Sequence, residues 1–207
     1  MKVLIACEFS GTVREAFRKK GYDAWSCDLV ASEDNSDFHI IGDAIETINS
    51  QKWDMIIAHP PCTRLTVTGN KWYKPEYSAR FPNIHQEREL AVDFFMKIAN
   101  SDCEKIAIEN PIGIMSTRWK KPSQIIHPWQ FGHEASKATC LWLKGLPLLT
   151  PTNIVSKGDF VEFKSGKRMS KWYCDAARLS PKERERIRNK TFQGIADAMA
   201  EQWGESK

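Results

Sequence analysis

No run of apolar residues in the 207-residue chain approaches the roughly 20 needed to cross a bilayer; the longest, such as residues 3–7 and 55–58, are far shorter. Glu8 closes the first of them before it could serve as the core of a signal peptide. The six cysteines (7, 27, 62, 103, 140 and 174) form no CxxC pair and have no closely spaced histidine partners, which argues against structural zinc and against a disulfide scaffold. No metal site is expected, and the thiols suit a reducing, cytoplasmic compartment. No charge of one sign dominates: 30 Lys and Arg face 26 Asp and Glu, a net +4, so a nucleic-acid reading depends on where the cations sit. There is no internal repeat and no low-complexity linker. What is present, 42% apolar and 27% charged residues, excludes a disordered tail and suits one α/β domain over residues 1–207.

The pattern alternates strand and helix. Val3, Leu4, Ile5 and Ala6 read as a strand buried on both faces; Ser10-Gly11 gives a turn, and Val13, Ala16 and Phe17 line one face of a helix ending near Lys19, Lys20 and Gly21. Further strands are expected at residues 24–29, 38–41, 55–58 and 105–108. Between the last two lie a polar loop from Thr63 to about Pro82 and an amphipathic helix carrying Leu90, Ala91, Phe94, Phe95 and Ile98, with Asn83 as its N-cap. Beyond Asn110 the signal weakens to strands at residues 139–143 and 161–163. A Ser180-x-x-Glu183 capping box with Pro181 then starts a helix, and a final helix bears Ile195, Met199 and Trp203. This order specifies a doubly wound α/β sheet, whose ligands bind outside the carboxyl ends of the strands.

Each of the first five strands ends in a polar or reactive residue. Cys62 follows two prolines after a buried strand, and such stiff backbone suits a nucleophile; Arg64 and His59 are nearby groups that could favour its thiolate. Glu109 ends the strand Ile106-Ala107-Ile108, where burial would raise its pKa and help it donate a proton; the plainer alternative is a solvated loop acid. Asp28 ends the second strand, placed to accept from ribose hydroxyls. Asp43 could accept from an adenine amino group or simply cap a helix at Ala44. Glu8-Phe9-Ser10-Gly11-Thr12-Val13 is not a GxGxxG loop.

These pieces, in this order, resemble the cytosine C5 methyltransferase family. Phe9-Ser10-Gly11 matches its Phe-x-Gly cofactor loop, Asp28 its ribose acid, Gly42-Asp43 its adenine-side acid, Pro61-Cys62 its nucleophile and Glu109-Asn110 its Glu-Asn pair. The tail from Thr191 to Trp203 matches its C-terminal helix. The resemblance implies a Rossmann-like sheet of the S-adenosyl-L-methionine-dependent methyltransferase type. It implies a methyl donor held by Phe9, Ser10, Gly11, Asp28, Leu29, Asp43, Ala44 and Pro60. Catalysis would fall to Cys62, Glu109, Arg64 and Asn110, and contact with the substrate to Pro61, Thr63, Lys71, Trp72 and Lys137. The implied chemistry is attack of Cys62 on cytosine C6, with Glu109 at N3, before C5 takes a methyl group; the base must be flipped out or single-stranded.

The chain departs from the family in places. Thr63 replaces its Gln after the nucleophile and Pro111 its Val, and no Gln-x-Arg-x-Arg strand is evident, Lys137 being the nearest cation. Only about thirty residues (about 150–180) stand where a target-recognition domain would be, so sequence specificity should be low or come from loops, a protein partner or a dimer. Residues 70–74, 117–121 and 164–172 interleave cations with aromatics, as suits nucleic acid or ordinary solvation. Arg184, Arg186 and Arg188 are expected on a solvated face with Glu183 and Glu185. His59-Pro60-Pro61 keeps open a base amino group, RNA or a free nucleotide as acceptor, and a non-catalytic subunit binding cofactor or DNA is the third reading.

Overall fold

In the computed structural model, which describes residues 1–205, β1 (Lys2–Ala6) pairs in parallel with β2 (Asp23–Asp28) on one side and β4 (Met55–Ala58) on the other. Next, β2 pairs in parallel with β3 (His39–Ile41), and β4 with β5 (Lys105–Pro111). Two antiparallel strands complete the sheet: β7 (Thr139–Lys144) runs against β5, and β6 (Gln124–Ile126) against β7. The order is β3-β2-β1-β4-β5-β7-β6, the doubly wound α/β sheet expected from the sequence.

Alternation along each strand sends side chains to two separate cores. Val3, Ile5, Met55 and Ile57 face α1 (Thr12–Lys19) and α7 (Gln193–Gly204), with Phe17, Ile195, Met199 and Trp203 buried among them. Leu4, Ala6, Ile56 and Ala58 face the other layer, which holds Ile48 of α2 (Ala44–Asn49) and Phe95 and Ile98 of α3 (Ile84–Ala99). The remaining elements are α4 (Met115–Arg118), the hairpin β8 (Phe160–Glu162) and β9 (Arg168–Ser170), α5 (Lys171–Ala177) and α6 (Pro181–Asn189).

Some local expectations change. The second strand stops at Asp28, the hairpin strand is shifted to begin at Phe160, and the loop after Cys62 holds two 3-10 turns, Val67–Tyr73 and Pro75–Tyr77. Asn83 precedes α3, but its side chain caps nothing; Ser180 and Glu183 form the full capping box. Arg186 and Arg188 do not lie on a purely solvated face. Arg186 and Lys190 both pair with Glu33, and Arg188 sits over the Tyr173 ring, 3.8 Å from its centre. No helix among the described residues is long and apolar enough to cross a membrane.

Candidate functional site

The sheet order reverses between β1 and β4, and the crevice at such a switch point is where open α/β sheets take ligands. The loop leaving β1 turns through Cys7, whose φ of 60° is left-handed and uncommon for a residue with a side chain. The turn brings the buried Glu8 carboxylate onto the start of α1, where it accepts from the backbone N–H groups of Val13 (2.7 Å) and Arg14 (3.2 Å) and from the Ser10 hydroxyl (3.3 Å). Burial raises the Glu8 pKa, opposed by His59 and by those N–H groups. Gly11 caps α1 with φ 71°, and a β-carbon there would strike the buried Arg14 guanidinium, which pairs with Asp34 and donates to Ser26. The Phe9 carbonyl accepts from Glu33 N (2.9 Å), tying the loop after β2 to this turn.

Asp28, Asp43 and Cys7 share one corner: burial first, then both carboxylates with Cys27, push the Cys7 thiol up to about 12. Asp28 is part-exposed, and its Oδ1 accepts from the N–H of Val30, at 3.3 Å. Asp43 takes the capping alternative, its Oδ1 accepting from Ile45 N (2.8 Å) and Glu46 N (3.0 Å). Ala44 is buried behind it. Leu29, Val30 and Ile41 stand 74%, 56% and 65% exposed at these strand ends, an open apolar edge beside the carboxylates.

On the other side of the switch point, β4 continues into His59, Pro60, Pro61 and Cys62. Asn110 is buried and donates from Nδ2 to the Pro60 carbonyl (2.7 Å), which clamps the proline turn to the end of β5. The Cys62 carbonyl accepts from Leu65 N and Thr66 N (2.9 Å each), so Cys62 opens a tight turn; Pro61 and Thr63 beside it are exposed. The loops after Cys62 and after Glu109 are stitched together: Ile114 N donates to Leu65 O (2.8 Å) and Val67 N to Ile112 O (3.2 Å). Gly113 permits this approach, since a β-carbon there would run into the Leu65 carbonyl. A Gly113→Val chain is expected to lose about 1–3 kcal/mol in urea unfolding; stability equal to the parent would show that the stitch is dispensable.

Glu109 lies near enough to Cys62 to act on its thiol through charge. Burial raises the Cys62 pKa, and the Glu109 carboxylate is the next largest cause; Lys137 opposes both. The antiparallel course of β7 explains the lysine: Pro111 lies opposite Thr139, so the segment leading into β7 arrives where β5 ends. The Lys137 ammonium also donates to the Arg188 carbonyl (2.8 Å). Glu109 is part-buried, and the direction of its shift corrects the sequence expectation: burial alone would raise its pKa, but the hydrogen bond from His59, the charges of Lys137 and His59 and the nearby Thr139 hydroxyl together lower it. In the sequence His59 stands beside Cys62 and in His59-Pro60-Pro61, with nothing to tie it to Glu109; its Nδ1 stands 3.5 Å from Glu109 Oε2.

Arg64 turns away from Cys62. Its Nε and a terminal nitrogen meet Glu87 of α3 at 2.6 and 2.5 Å, so the cation acting on the thiol is Lys137. Trp72 packs edge-on against Tyr77 and Phe81, with Lys71 over its ring at 4.3 Å and Arg80 at 5.3 Å. Two buried side-chain atoms of the strand ends, His59 Nε2 and Asn110 Oδ1, have no hydrogen-bond partner among the described residues. Leaving such an atom unpaired costs about 1–3 kcal/mol. A cleft of about 770 Å3 opens elsewhere, lined by Trp53, Asp54, Asp102 and Glu104 before β4 and β5, and contains none of the strand-end residues above.

No protein-family model matches the chain, and neither does any curated protein. Among solved structures it is similar to a provisionally assigned DNA modification methyltransferase encoded within an E. coli prophage, with TM-score 0.48 and 14% identity over 75% of this chain and 52% of that one. It is also similar to the Entamoeba histolytica methyltransferase EhMeth, with TM-score 0.49 and 13% identity over 75% of this chain and 57% of that one. The chain thus spans little more than half the length of either structure.

Proposed function

We propose that the protein is an S-adenosyl-L-methionine-dependent methyltransferase acting at C5 of cytosine in nucleic acid, DNA first, through a covalent adduct of Cys62 with C6. What supports this reading is that Cys62 and Glu109 follow neighbouring strands and that the Glu109 carboxylate and Lys137 both act on the Cys62 thiol through charge. A thiol and a carboxylate are the two functions needed on opposite sides of one pyrimidine: the thiol proton passes by way of the Glu109 carboxylate to N3 as sulfur adds to C6, and the electron pair moves to C5.

The corner formed by Cys7, Asp28 and Asp43 suits a nucleoside-type donor. Asp28 keeps accepting capacity for a ribose diol, and the exposed Leu29, Val30 and Ile41 offer apolar surface to a flat base. When bound, the donor supplies an electrophilic methyl group on sulfur. The protein's part is to hold C5 against it, accept the transient C6–S bond at Cys62 and release that bond as the C5 proton passes to water. Asn110 keeps the Pro60-Pro61 turn rigid beneath Cys62, and Lys137 supplies the charge that favours the thiolate. The aromatic and basic loop around Trp72 would hold an unstacked or single strand.

The direct test is transfer of labelled methyl groups from the donor to single- and double-stranded DNA, with the product nucleoside identified by mass spectrometry. Methyl on C5 of cytosine is expected. Methyl on an exocyclic amine would move the reading to another acceptor, and none at all would leave only binding. Separately, Asp28→Ala should weaken donor binding in calorimetry by about 1.5–3 kcal/mol, because the diol loses a charged acceptor; unchanged affinity would place the donor elsewhere.

A further inference from the structure

His59 is positioned by the sheet rather than by chance. Parallel pairing sets Ala58 beside Ile108, so the next residue of each strand, His59 and Glu109, emerge together at the carboxyl edge. The imidazole is enclosed, 9% exposed, and its backbone N–H extends the ladder by donating to Ala6 O (2.9 Å). Its Nδ1 lies 3.5 Å from Glu109 Oε2, and an ionised carboxylate can only accept, so Nδ1 carries the hydrogen. The contact is long, as such bonds often are before substrate tightens them.

We infer that His59 is a positioning residue for Glu109: its Nδ1–H holds one carboxyl oxygen, Oε2, and thereby turns the other, Oε1, toward the pyrimidine. This deepens the methyltransferase reading and rests on it for the identity of the base. His59 touches the reacting atoms only through Glu109. Four other groups act on the same carboxyl, on its partner thiol or on the His59 ring and set the background. Thr139, whose hydroxyl donates to the Lys137 carbonyl (3.5 Å), and the Lys137 charge lower the Glu109 pKa from the β7 side, while Glu8, just after β1, feels the His59 ring. Glu185, on α6, acts on Cys62, and Glu109 itself acts on the thiols of Cys62 and Cys140. None of these replaces a donor at the Nδ1 position.

The geometry separates the variants. Asparagine places an amide N–H near where Nδ1 stands, whereas glutamine reaches to the Nε2 position. His59→Ala is expected to cut kcat about 10–100-fold, the range seen when a group that orients a reactive one is lost, with KM for the methyl donor unchanged. His59→Asn should recover most of the loss and His59→Gln little of it. A second measurement does not depend on methylation. In 13C-carboxyl NMR, with the Glu109 signal assigned by its absence in Glu109→Gln, the Glu109 titration should move to higher pH in His59→Ala. A Glu109 titration that stays at its parent position, or equal rescue by Asn and Gln, overturns the inference whether or not the protein methylates DNA. If instead the NMR shift appears while no base is methylated, the coupling of the two residues stands and the assignment to cytosine falls.

Discussion

Replacing Cys62 with alanine is expected to reduce methyl transfer by roughly 10^4-fold or more, the scale on which loss of a nucleophile shows in other covalent catalysts. The thiol is half-buried, and both burial and Glu109 keep its pKa above the ordinary value, so in the free protein it is held as a thiol. Substrate must therefore take part in forming the thiolate, with Lys137 as the local cation. Slow alkylation of Cys62 in the free protein follows from the same arrangement. The adduct can be trapped chemically: in DNA carrying 5-fluorocytosine the substituent at C5 cannot leave as a cation, so release is blocked. The parent chain should then become linked to the DNA through Cys62, visible as a mass increase that survives denaturation, and Cys62→Ala should not. A variant without the thiol that still methylates cytosine at the parent rate would end the covalent reading.

The parallel half of the fold is legible because its strands are buried on both faces, which leaves unbroken apolar runs such as Val3 to Ala6 bounded by turn residues. The other half is legible only in part: β7, β8 to within a residue, α6 and α7 can be read, but β6 and β9 have three residues each, too few for a period to show, and the antiparallel insertion of β7 between β5 and β6 follows from no local signal. The site divides the same way. Cys62, Glu109, Asp28 and Asp43 sit directly after strands and can be found by reading strand ends. The company each keeps depends on pairing. Arg64 stands two residues from Cys62 yet belongs to Glu87, while His59 meets a partner fifty positions along the chain. Burial of Glu109 was readable from Ile106-Ala107-Ile108, but the sign of its pKa shift required His59, Thr139 and Lys137 to be seen around it.

Glu109→Gln should separate two effects of opposite sign at one position. An amide can still donate a hydrogen bond toward N3 but cannot yield a proton, so turnover should fall about 10^2–10^4-fold, with DNA and methyl-donor binding much less affected. The same change removes the negative charge that raises the Cys62 pKa. Losing a raising influence moves the thiol pKa downward, so at a fixed pH near neutrality a larger fraction of Cys62 is thiolate in the variant. Alkylation of Cys62 by iodoacetamide, followed by mass spectrometry, should accordingly be faster in Glu109→Gln than in the parent chain, while catalysis is slower. The Asn110–Pro60 clamp lies on the neighbouring residue and is untouched, so the thiol stays where it was. Faster alkylation with lost turnover places the carboxyl group across the ring from the sulfur. If reactivity toward iodoacetamide and turnover decline together, the substitution has disturbed the turn at Cys62 instead, and Glu109 serves the structure rather than the base.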